Sequence, residues 1–88
     1  MPTLMNQVFD ILNEHSRKAE VSEYDRSVSI KAVLTVRDWI NANSPPTKKA
    51  IVDGIENLRS NYNDPDGVYT NGRGIIGSIL DDLRAKLS

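Results

Sequence analysis

Ser27–Ser44, SVSIKAVLTVRDWINANS, holds the only tryptophan of the chain and supports two incompatible backbone readings. Read as a helix, it places Ala32, Val33, Val36, Trp39 and Ile40 on one face with Ser29 at the edge, the spacing of a core-facing helix. Read as a strand, it alternates. Val28, Ile30, Ala32, Leu34 and Val36 then face one way and Ser29, Lys31, Val33, Thr35 and Arg37 the other, a period of two broken only by Val33. The first reading leads to an all-α protein, a small four-helix bundle with short connections, and the second to a dimer with a strand at about 27–36. The β-branched residues of Ser27–Val36 lower helix propensity by a few tenths of a kcal/mol each. Burial of Val33, Val36, Trp39 and Ile40 is worth roughly 1.5–3 kcal/mol per side chain, so packing decides and the helix is preferred.

Toward the N-terminus, Thr3 is an expected cap for a helix over about 3–19. Leu4, Met5, Val8, Phe9, Ile11 and Leu12 recur there at helical spacing, and Arg17-Lys18 suit the negative end of the dipole. His15, the sole histidine, sits at the edge of that stripe, where a half-buried or solvated ring is the expectation. Ala19–Arg26 is polar and contains no Gly or Pro. A loose capping box at Ser22–Asp25 points to a second helix over about 24–42.

Toward the C-terminus, Asn41–Pro46 is the clearest punctuation. Ser44 followed by Pro45 reads as an N-cap with proline at the first helical position, which opens a third helix over about 45–61. Ala50, Ile51, Ile55, Leu58 and Tyr62 turn inward, while Lys48, Lys49, Asp53, Glu56 and Arg59 turn outward. Gly54 costs this helix about 1 kcal/mol relative to alanine, which a close helix crossing would explain. Asn63–Gly67 has turn chemistry, and Asn71-Gly72 is a second turn signal. The last helix, about 73–87, has the strongest stripe: Ile75, Ile76, Ile79, Leu80, Leu83 and Leu87.

The 88 residues make one domain, because a chain of this size cannot support two separate cores. The 11 basic and 12 acidic residues are interspersed, and a net charge of −1 gives no long-range attraction to phosphate or anionic lipid. Without cysteine there is no disulfide framework and no thiolate chemistry, in keeping with a reducing compartment. MPTLMNQVFD has neither a basic nor an apolar leader region, and no apolar run approaches the ~20 residues of a membrane span, so a cytoplasmic location is expected.

Few constellations carry chemistry. Gly72-Arg73-Gly74-Ile75-Ile76-Gly77 matches G-x-G-x-x-G, but no strand precedes it and the chain ends before an acidic residue ~20 positions on could reach a ribose. Its glycines are better read as shaping a turn and letting the helix pack closely, with Arg73 and the helix start able to hold a phosphate or a partner's carboxylate. Glu20-Val21-Ser22-Glu23 resembles half of the metal signature of all-helical nucleoside-triphosphate pyrophosphohydrolases. The second half is reversed as Asp53-Gly54-Ile55-Glu56, so a solvated acidic face is the better reading. His15 has no local serine motif.

Arg26-Ser27-Val28-Ser29-Ile30-Lys31, an apolar helix and then Pro46–Val52 resemble the ribbon-helix-helix repressors and antitoxins. That resemblance implies a strand-paired dimer with Ser27, Ser29 and Lys31 facing bases in the major groove. A whole helix precedes the strand here, two prolines open the next helix, and there is no basic excess to neutralise phosphates.

The expectation is therefore a cytosolic protein-binding domain, an inhibitor, adaptor or regulatory subunit rather than an enzyme, with no cofactor or metal. Its partner is another protein, with a homodimer as an option; nucleic acid is disfavoured, and no membrane is involved. The expected contact surface is the irregular stretch 62–73. Tyr62, Tyr69 and Arg73 are residue types enriched at interface hot spots, and Asn71 lies between them. The alternative role for the tyrosines is to plug the end of the bundle.

Overall fold

The tryptophan stretch coils. In the computed structural model, which describes residues 3–22, 26–62 and 71–87, four helices follow in order: α1 (Leu4–Glu20), α2 (Arg26–Asn43), α3 (Lys48–Asn61) and α4 (Asn71–Lys86). No strand occurs among the described residues. The extended alternative at 27–36 is overturned, and with it the ribbon that the repressor resemblance requires. The reason is the packing of Val33. A helix buries it together with Val36 and leaves Leu34 43% exposed, whereas a strand would have put Leu34 and Val36 on one face. Thr35 fits the helix because its hydroxyl donates to the Lys31 carbonyl at 2.7 Å.

One apolar cluster draws on all four helices: Val8 and Leu12 from α1, Ala32, Val36 and Ile40 from α2, Ile51 and Ile55 from α3, and Ile76, Ile79, Leu80 and Leu83 from α4. α2 packs on α1 and α4, and α3 packs mainly on α4. Leu4, Met5 and Phe9 close over the core as half-buried cover, so the stripe expected in the first helix is present at the expected residues. No described helix is long and apolar enough to cross a membrane.

The caps agree with sequence logic at α1 and depart from it at α3. Thr3 accepts the Asn6 amide at 3.1 Å, as expected of an N-cap. Ser44, expected to cap the third helix, instead terminates α2: it takes φ 44° and its amide donates to the Ile40 carbonyl at 2.9 Å. Thr47 is the cap of α3, accepting the Ala50 amide at 3.1 Å. Proline disfavours helical geometry in the residue before it, so Pro46 holds Pro45 out of the helix and delays the start. The second helix is described from Arg26, and the capping box at 22–25 falls partly outside the described residues.

At Gly54, α3 meets the Trp39 side chain of α2. A Cβ there would overlap Cη2 and Cζ2 of Trp39, so the indole, rather than a bare helix backbone, is what fills the space expected at this glycine. Lys48, expected among the outward cations, has a structural task instead. Its Nζ donates to the carbonyls of Arg84 at 2.8 Å and Leu87 at 3.0 Å, which caps the last turn of α4 from the first residue of α3. Lys48→Met, which keeps the alkyl stem, is expected to cost about 1–2 kcal/mol. Thermal denaturation checks the loss, and amide exchange should quicken first at the end of α4.

Candidate functional site

The last turn of α3 and the first turns of α4 meet at one end of the bundle, and two arginines converge there. Arg59 closes α3, where a cation suits the helix dipole. Tyr62 follows, its amide donating to the Arg59 carbonyl at 3.3 Å. Arg73 reaches back from the first turn of α4, with its Nε donating to the Tyr62 carbonyl at 2.6 Å. One turn further along α4, a Cβ on Gly77 would stand 3.2 Å from Arg59 Nη1 and 3.7 Å from its Cδ, so the missing side chain gives Arg59 room to lie across α4.

Arg59, Ser60, Arg73 and Gly74 line an open cleft of about 460 Å³. Neither guanidinium takes part in an ion pair among the described residues, where the carboxylate partners go to His15, Arg84 and Lys86. The first turn of α4 carries no acidic residue. Two positive side chains therefore face a helix N-terminus that is itself positive, with no described carboxylate between them.

The four residues expected at the contact surface fare differently. Tyr62 is 8% exposed and packs into the core cluster, so its ring plugs the bundle end and what it offers the site is its carbonyl. Tyr69 lies outside the described residues. Asn71 is the first residue of α4, and Arg73 is exposed at the cleft. The surface is thus not irregular throughout 62–73, because α4 begins two residues before the expected start and takes in 71–73. All three glycines of G-x-G-x-x-G are consequently helical, within α4 rather than in a turn ahead of it. Arg59 and Ser60 were not legible as site residues, since only the α3–α4 packing carries them to Arg73.

A second cluster surrounds the lone imidazole. His15 Nε2 and Asp82 Oδ2 lie 2.6 Å apart between α1 and α4, with side chains 10% and 30% exposed. This hydrogen bond holds the Asp82 carboxyl below its ordinary value. Partial burial opposes the shift, and Lys86, the His15 charge and Lys18 assist it. A carboxylate with a lowered folded pKa contributes stability that is complete above its unfolded value near 3.9 and is lost as pH falls through the folded value. Acid titration of Asp82→Asn should accordingly lack the part of the loss below about pH 4 that the native protein shows. A cavity of about 300 Å³ beside His15 is lined by Lys18, Ser29, Ile75 and Ser78 among others.

Among the described residues no group of three or more histidine, aspartate or glutamate side chains is placed to hold a metal ion, and Glu23 of the acidic pair lies outside them. Comparison with family models, with curated proteins and with solved structures finds no match for this chain.

Proposed function

We propose that this chain is a protein-binding domain, an inhibitor, adaptor or regulatory subunit, whose partner docks where the end of α3 meets the start of α4. The observation that carries this reading is the convergence of Arg59 and Arg73, from separate helices, on one open cleft with no described carboxylate opposite them. Arginine is enriched at interface hot spots, and a guanidinium loses less on leaving water than an ammonium does. This reading assigns no catalytic role to the cleft, whose described lining is Arg59, Ser60, Arg73 and Gly74.

A photo-crosslinking residue at Ser60, with the same residue at Lys31 on the exposed side of α2 as control, tests the proposal in the cells that make the protein. A discrete protein adduct from position 60 and none from position 31 is expected. Equal labelling at both positions, or none at 60, would reject the site. An adduct of twice the chain's mass identifies a second copy as the partner.

A further inference from the structure

We infer that the α3–α4 cleft is a carboxylate-binding site, filled by an aspartate or glutamate side chain that the partner presents; this rests on the protein-binding reading above. Three independent features of the cleft converge on an anion. The first is charge, since Arg59 and Arg73 meet at a helix end of the same sign with no described counter-ion. The second is orientation. Arg73 is anchored through Nε to the Tyr62 carbonyl at 2.6 Å, which fixes its guanidinium plane and leaves its two terminal nitrogens with no partner among the described residues. A planar fork held this way matches the two oxygens of a carboxylate.

The third feature is Gly74. It lines the cleft from within α4, and a Cβ added there would meet no atom within 4 Å, so neither crowding nor backbone conformation demands glycine. Glycine nevertheless weakens the helix at this position. A bare turn that the fold does not need lets an anion approach the helix surface between the two arginines closely. Gly77 supports the same geometry by leaving space for Arg59 over α4.

A carboxylate is favoured over a phosphate because the chain has a net charge of −1, which supplies no wider field for a dianion or a polyphosphate.

The test is an NMR titration of the full chain with acetylated tetraglutamate and, separately, with inorganic phosphate, following the Arg59 and Arg73 Nε–H signals and the Gly74 amide. Saturable shifts at these three groups are expected with the peptide, with a Kd on the order of 1 mM for so small a probe. R59Q/R73Q should weaken binding at least tenfold, and G74A should weaken it several-fold with Tm unchanged or raised. Shifts of equal size at Lys49 and Lys31 would show charge screening alone and overturn the site. Phosphate binding more tightly than the peptide would overturn the carboxylate assignment. Asp64 and Asp66 come next in the chain, so D64N/D66N is the control. If that variant binds the peptide at least tenfold more tightly than the native chain, the chain's own carboxylates fill the cleft and the proposal fails.

Peptide binding without any crosslinked protein would leave the anion site standing and remove the protein-binding reading. A crosslinked partner retained equally by R59Q/R73Q would do the reverse.

Discussion

Gly54→Ala is expected to destabilise the protein by about 2 kcal/mol, although alanine is the better helix former by about 1 kcal/mol. The sign follows from the Trp39 ring, whose Cη2 and Cζ2 occupy the place the new methyl would take. The indole is half-buried against the core and must swing outward or push α3 away from α2 to accommodate it. Overpacking of this kind typically costs 1–3 kcal/mol, which exceeds the propensity gain. A double-mutant cycle separates the two effects. In a Trp39→Ala background the obstruction is gone, and Gly54→Ala should become stabilising by about 0.5–1 kcal/mol. Urea unfolding of the four proteins measures both values, and a Gly54→Ala change that stabilises both backgrounds would mean that the ring is elsewhere.

The second large effect contrasts neighbours in α2. Val33→Ala should cost about 2 kcal/mol and Leu34→Ala no more than about 0.5 kcal/mol, although the leucine substitution deletes more atoms. Val33 is 1% exposed within the four-helix cluster, whereas Leu34 is 43% exposed. A strand over this stretch would reverse the order, since it would side Leu34 with Val36 and turn Val33 away. Thermal midpoints suffice, because 1 kcal/mol moves Tm by roughly 4–8 °C in a domain of this size.

The four helices could be read in advance because each carries a stripe at a period near 3.6, and the residues of those stripes are the ones that pack. Ile76, Ile79, Leu80 and Leu83 are all at most 1% exposed. Boundaries were harder where two local rules compete. Ser44-Pro45 has the letters of a helix start, yet the second proline makes it a helix end with Ser44 at φ 44°. Asn71-Gly72 has the letters of a turn, yet both residues lie in α4.

Long-range pairs left no trace in the sequence. His15 finds Asp82 67 positions away, and Lys48 finds the carbonyls of Arg84 and Leu87. The candidate site was half legible for the same reason. Arg73 could be singled out by its place at a helix start, whereas Arg59 looked like any outward cation until α3 and α4 were packed. Gly77, one turn beyond Gly74, was the one local hint that something lies across α4 there.

The whole architecture depends on α2 being helical with its indole lying over Gly54. A nuclear Overhauser spectrum with assigned Cα shifts tests this most directly. Expected are helical shifts from Ser27 to Asn43, cross-peaks from the Trp39 Hη2 and Hζ2 protons to the Gly54 Hα protons, and a ring-current displacement of those Hα signals. Extended shifts from Val28 to Val36, with no contact between the indole and Gly54, would contradict the bundle.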